Sequence, residues 1–165
     1  MTAKGILFDF DGTLVPNLDL SDMRRQIEAM ADDAGVPAQI YADLYIVEII
    51  DASQAWLAAQ PNTGAAEADA YAAASHQRIS DIELRAAAQT QLFDQARHVL
   101  ARLRQAGYQL GIVTRNCREA VLTMFPDLDQ YIDALHARDD VAFLKPDPRH
   151  LAANYSPPSR SPLPS

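Results

Sequence analysis

The sequence predicts an α/β protein in which a parallel sheet core is interrupted by a block of α-helices. Three observations carry this. Residues 5–10 (GILFDF) and 108–113 (YQLGIV) are short, mostly apolar runs beside or around glycine, the pattern of strands buried on both faces. Residues 94–106 and 118–125 show helical periodicity on either side of the second run. Residues 16–91 differ in character, being alanine-rich with few β-branched runs. Strand, helix, strand, helix, strand implies right-handed crossovers and a Rossmann-like parallel sheet.

Each element has a local reason. Asp11-Gly12-Thr13 breaks the first strand. Ser21 is placed to cap a helix that Gly35 ends. Pro37 suits the first turn of a second helix carrying Ile40, Leu44, Val47, Ile50 and Leu57. Pro61-Asn62-Thr63-Gly64 is a turn, and a third helix covers about residues 65–88. The helix over 94–106 turns Val99, Leu100 and Leu103 inward and stops at Gly107. Pro126 ends the helix over 118–125, residues 131–135 form a third strand, and Lys145-Pro146-Asp147-Pro148 opens a last short helix. Residues 156–165 (SPPSRSPLPS) hold four serines and four prolines and are expected to be disordered. The expected division is therefore a core of 1–15 and 92–155, a helical cap of 16–91 and the tail.

Composition narrows the function. Fourteen Lys+Arg against 22 Asp+Glu leave the 165 residues at −8, which argues against nucleic acid or an acidic membrane as partner. One cysteine, Cys117, excludes an internal disulfide and a Cys-cluster zinc site. There is no basic start followed by an apolar run and no membrane-length apolar stretch, so a cytoplasmic protein is expected. Only Lys4 and Lys145 are lysine, while the other twelve cations are arginine. A lone lysine deep in such a chain points to lysine's own chemistry at Lys145.

In an open parallel sheet, ligands bind beyond the carboxyl ends of the strands. Asp9 and Asp11 close the first strand, Thr114-Arg115-Asn116 follows the second, and Lys145 comes after the third. Two carboxylates, a hydroxyl beside backbone amides and an ammonium suit phosphoryl transfer. One carboxylate can attack phosphorus and the other can shuttle the proton. Cationic and N–H donors can hold the developing charge, and two close carboxylates call for an oxygen-loving cation, Mg²⁺.

These residues carry a resemblance. Phe8-Asp9-Phe10-Asp11-Gly12-Thr13-Leu14 resembles the DxDGT(L/V) motif of the haloacid-dehalogenase superfamily of phosphohydrolases. Val113-Thr114-Arg115-Asn116 is similar to its second motif and Lys145-Pro146-Asp147-Pro148 to its third. Order and spacing resemble the branch with a helical cap between motifs one and two, over about residues 4–155. The resemblance implies Asp9 as nucleophile and Asp11 as general acid/base. It implies Mg²⁺ on Asp9 and the Asp11 carbonyl. Gly12, Thr114, Arg115, Asn116 and Lys145 would meet the phosphoryl group, Lys145 also steadying the charge on Asp9. It also implies a fourth motif, Gly-Asp-x-x-x-Asp, some tens of residues beyond Lys145, and none follows here. The expectation is a core lacking its C-terminal part, weakly active or inactive through poorer positioning of the phosphoryl group and marginally stable as a monomer, with the Asp9 strand as an exposed edge open to homodimer pairing.

The remaining polar residues read as structural. Asp139 and Asp140 are read as loop carboxylates, with replacement of the absent metal ligands as the alternative. Cys117 reads as a small packing residue, the four histidines as structural or exposed, Trp56, Tyr41, Tyr45 and Tyr71 as core or seam residues of the cap, and Arg78 and Arg85 as a solvated helix face, with contact to a substrate anion as the alternative. The second acid, Asp11, argues against a dehalogenase, and the lysine-free stretch 16–91 argues against Schiff-base phosphonate cleavage. A Mg²⁺-dependent phosphatase of a small phosphorylated metabolite, phosphoglycolate-phosphatase-like, is the expected function. The alternatives are a non-catalytic chain that binds phosphate or a partner, and a sugar phosphomutase.

Overall fold

The structure is a computed structural model and describes residues 4–149 apart from 143 and 146. It resolves into two compact units. One is built from the chain up to Asn17 and from Ala86 onward; the other is Leu18–Arg85.

The first unit is α/β. Strands β1 (Lys4–Phe8), β2 (Tyr108–Val113) and β3 (Ala134–His136) pair in parallel in the order β1-β2-β3. Ile6 lies opposite Leu110, Phe8 opposite Ile112 and Val113 opposite His136. The central strand is the buried one: Leu110, Ile112 and Val113 have almost no exposure. Among the described residues β1 is an edge, and Ile6, Leu7 and Phe8 are only half-buried. The α-helices that bear on the two units are labelled α1 to α5 in chain order. Here α4 (Ala96–Gln105) packs on β2, and Gly107 at φ +87° makes the left-handed turn between them, a conformation that favours glycine. Helix α5 (Arg118–Met124) follows β2, and Phe125 ends it before Pro126.

Three details differ from the sequence expectation. β1 ends at Phe8 because the Phe10 carbonyl turns inward and accepts N–H bonds from Thr13, Leu14 and Val15. β3 starts at Ala134, because Leu128–Gln130 form a 3-10 turn closed by Tyr131. Asp133 then joins β2 through its own groups, its N–H on the Leu110 carbonyl at 2.7 Å and its carboxylate on the Leu110 N–H at 2.8 Å. On α4 Leu100 is fully buried, but Val99 is 47% exposed, so the inward face is narrower than the apolar spacing suggested.

The second unit is helical: α1 (Leu20–Asp33), α2 (Ile46–Ala58) and most of α3 (Ala65–Ala87). Ile27, Ile49, Ile50 and Ile79 are at its centre. Asp19, not Ser21, caps α1, its carboxylate accepting the Asp22 N–H at 3.0 Å. Gly35 at φ +79° ends it as expected. The helix foreseen from Pro37 begins later. Pro37 opens a single 3-10 turn, and Arg24 then holds the chain in a bend by donating to the Leu44 and Ala42 carbonyls at 2.7 and 2.8 Å. Tyr45 consequently sits exposed at the N-cap of α2 rather than inside. Tyr41 is buried and donates to Asp32; that bond, with burial and nearby carboxylates, pushes its phenol up to about 12. No described helix is long and apolar enough to cross a membrane. The expected tail, 156–165, lies outside the described residues.

Candidate active site at the carboxyl ends of the strands

The site starts where β1 stops. The Phe10 N–H donates to Asp9 Oδ1 at 2.8 Å, which fixes the carboxylate against its own backbone. Lys145 Nζ lies 2.8 Å from the same oxygen. Asp9 is 54% exposed at the side chain while Lys145 is 23% exposed, so a mostly covered cation faces an accessible carboxylate. Gly12 makes the turn beyond: its φ is +77°, its N–H donates to the Val15 carbonyl at 2.8 Å, and a Cβ there would collide with the Asn17 side-chain amide.

A second group forms on Asp11. Thr114 is anchored on β3 by its N–H to the His136 carbonyl at 3.0 Å, and its hydroxyl lies 3.4 Å from Asp11 Oδ2. Asn116 Nδ2 donates to Asp11 Oδ1 at 3.1 Å and approaches Oδ2 at 3.4 Å. The Asn116 N–H donates to Thr114 Oγ1 at 3.0 Å. Thr114 and Asn116 are both buried, so their polar atoms need these partners. Arg115, between them, is exposed, and its carbonyl accepts from Arg138 at 2.9 Å.

The loop after β3 braces this turn. The Arg138 N–H donates to the Asn116 carbonyl at 3.0 Å. Asp139 accepts the Arg118 N–H at 2.9 Å, and Asp140 takes Arg118 in a fork at 2.8 and 2.7 Å and the Ala137 N–H at 2.9 Å. Burial pulls the Asp140 carboxyl upward, yet the Arg118 guanidinium and the Ala137 N–H together hold it below the ordinary range. Asp139 and Asp140 are thus loop carboxylates committed to α5. Sequence reasoning missed this brace and the role of the Asn116 side chain. The available signal was an Arg-Asp-Asp triplet right after a strand with an arginine at the start of the preceding helix.

Among the described residues no group of three or more His, Cys, Asp or Glu is placed to hold a metal ion. The donors the motif resemblance names, Asp9 and Asp11, are both oxygen ligands. Mg²⁺ commonly keeps several waters and takes one or two carboxylates plus phosphate oxygens, so this sparse, hard donor set fits it. Cys117 is buried. His76 and His98 are exposed, and His150 lies outside the described residues. Arg78 reaches Gln26 at 3.5 Å and Arg85 the Asp81 carbonyl at 3.1 Å, contacts of an ordinary helix surface.

Comparison with known proteins follows the same lines. The haloacid dehalogenase-like hydrolase family matches residues 3–154, and the chain belongs to that family. It is 34% identical over 152 residues to a phosphoglycolate phosphatase of Xanthomonas campestris pv. campestris, covering 90% of this chain. It spans 66% of that relative's length. The fold is similar to the crystal structure of CbbY from Rhodobacter sphaeroides in complex with phosphate, with a TM-score of 0.56 at 20% identity over 92% of this chain and 71% of that one. A crystal structure described as a predicted phosphoglycolate phosphatase from Haemophilus somnus gives a TM-score of 0.52 at 18% identity, over 92% of this chain and 69% of that one.

Proposed function

We propose that this chain carries the reacting groups of a Mg²⁺-dependent phosphatase acting on small phosphorylated metabolites. The observation that carries the reading is the pair at the end of β1, Lys145 Nζ 2.8 Å from Asp9 Oδ1, beside a second carboxylate held by Thr114 and Asn116. In this reading an Asp9 oxygen attacks phosphorus. The P–O ester bond breaks and Asp11 delivers its proton to the departing oxygen, leaving an aspartyl-phosphate on Asp9. Asp11 then takes a proton from the water that hydrolyses it. Lys145 and the Thr114 hydroxyl would face the phosphoryl oxygens and stabilise their growing charge. Mg²⁺ would be held by the Asp9 carboxylate and the Asp11 carbonyl, and when bound it withdraws charge from the phosphoryl oxygens. The printed name of the Xanthomonas relative makes phosphoglycolate the first metabolite to try.

The test is phosphate release by residues 1–165 from p-nitrophenyl phosphate and from phosphoglycolate, with Mg²⁺ and with excess chelator. Turnover should need Mg²⁺ and should fall by about 10³-fold or more in Asp9→Asn, which keeps the shape but removes the attacking charge. Equal activity of wild type and Asp9→Asn, or no release from either ester with Mg²⁺, would refute the reading.

A further inference from the structure

We propose that Asn116 is a positioning residue for Asp11, its side-chain amide setting the direction in which the carboxylate points. The inference rests on the phosphatase reading for its chemical consequence and on geometry for the positioning itself. Asn116 is 5% exposed. Its Oδ1 accepts the Cys117 N–H at 2.9 Å, so the other end of the amide must be the NH₂. That NH₂ is the end that meets Asp11, at 3.1 Å from Oδ1 and 3.4 Å from Oδ2. The Thr114 hydroxyl, at 3.4 Å, is too long a contact to orient a carboxylate alone.

Asn116 is itself held on every side. Its N–H is on Thr114 Oγ1 and its carbonyl is on the Arg138 N–H. Arg138 also grips the Arg115 carbonyl, and Asp139 and Asp140 pin Arg118 two residues on. The amide therefore presents a fixed donor to the Asp11 carboxylate. In the first chemical step the proton of Asp11 goes to the ester oxygen as the P–O bond breaks and the Asp9–phosphorus bond forms. A displacement of about 1 Å can cost on the order of 100-fold in such a step.

Asn116→Asp is the decisive variant. It keeps the size and the acceptor for the Cys117 N–H, but replaces the donor to Asp11 with a second acceptor. Two esters separate positioning from general damage. An alkyl phosphate such as glycerol phosphate needs a proton on its leaving oxygen, whereas p-nitrophenolate departs without one. The added charge lowers kcat/KM on both esters, and we expect the loss on the alkyl ester to exceed that on the aryl ester by about 20-fold or more. Equal losses on both, or no loss on either, would overturn the proposal. Crystal structures of wild type and variant give a reading independent of turnover. The Asp11 carboxylate should be turned away from residue 116 in the variant, and an unmoved carboxylate overturns the proposal. If wild type hydrolyses neither ester the phosphatase reading fails, and the Asp11 comparison alone decides the positioning. Should Asn116→Asp not fold, Asn116→Ser, which shortens the reach without adding charge, is read in the same two ways.

Discussion

The two units differ in how they treat small buried polar side chains, although the helical unit does satisfy the buried Tyr41 hydroxyl on Asp32. In the α/β unit the buried side chains of Thr114 and Asn116 each have partners, and those partners converge on Asp11. In the helical unit Ser53 and Ser75 are fully buried, and their hydroxyls, with the buried hydroxyl of Tyr71, have no hydrogen-bond partner among the described residues. A buried polar atom without a partner costs free energy, whereas a satisfied network fixes geometry. One unit therefore holds its polar atoms in place at the strand ends, and the other tolerates them inside a packed helical core. Substitutions that probe this contrast should differ in sign as well as size.

The contrast breaks first, and by the most, at Lys145. Its ammonium is the cation 2.8 Å from Asp9 Oδ1. Lys145→Ala should lower kcat on the order of 10²–10³-fold, about 3–4 kcal/mol of transition-state stabilisation. Lys145→Arg should recover only part of this, because a planar fork replaces a point charge. Steady-state kinetics on p-nitrophenyl phosphate checks it. A Lys145→Ala enzyme as fast as wild type would mean that the pairing at the end of β1 does no chemical work.

How much of this was legible follows from where local chemistry decides the structure. β2 came out residue for residue as Tyr108–Val113, because glycine bounds it and its apolar run leaves no alternative. That Lys145 would meet Asp9 and Thr114 would meet Asp11 was legible from the placement of all four at strand ends and from the order of the motifs. The start of α2 was not legible. It depends on Arg24 reaching twenty residues along the chain to the Leu44 carbonyl, a contact no local pattern encodes. The cap of α1 went to Asp19 rather than Ser21, where two good capping residues compete and only the chain's entry path selects one. The Asn116 amide and the Arg118–Asp140 fork were missed for the same reason: each joins residues from different strand ends.

Gly12 sharpens the contrast at the next level of effect, since it tests backbone rather than side chain. At φ +77° with the Asn17 amide where a Cβ would fall, Gly12→Ala meets both strain and collision. It should cost about 1–3 kcal/mol and disturb the turn that carries Asp11. Gly35→Ala, also at positive φ but with open space around it, should pay for the conformation alone and cost less. Urea titration of the two variants orders them; the reverse order would show that the Asn17 contact yields freely.

In the helical unit the sign should reverse. Ser53→Ala and Ser75→Ala each remove a hydroxyl that has no partner among the described residues and place a better helix former in α2 and α3. Each should raise stability by up to about 1 kcal/mol, read as a higher urea midpoint at unchanged slope. A loss of stability in both would mean that the hydroxyls are satisfied in solution, and the difference between the units would disappear.

The smallest effect returns to the α/β unit, away from the strand ends. Arg97 on α4 binds Asp127 in a fork, with Nη2 2.7 Å from Oδ1 and Nε 2.9 Å from Oδ2, and its guanidinium lies over the Phe125 ring at 5.5 Å. Arg97 holds the Asp127 carboxyl below the usual 3.8. A carboxylate lowered in the folded state binds its proton more weakly there than in the unfolded chain. Its contribution is therefore present above pH about 4 and is lost as pH falls through the lower folded value. Both partners are partly exposed, at 44% and 30%, so the contribution should be about 0.2–1 kcal/mol and should shrink in high salt. Asp127→Asn should accordingly melt a few degrees below wild type at pH 7, and the gap should close on acidification below pH 4. A gap that persists unchanged at pH 3 would place the effect in packing against Phe125 rather than in charge. A gap as large as that of Gly12→Ala would show that polar pairs throughout this unit, and not only those at the strand ends, fix its geometry.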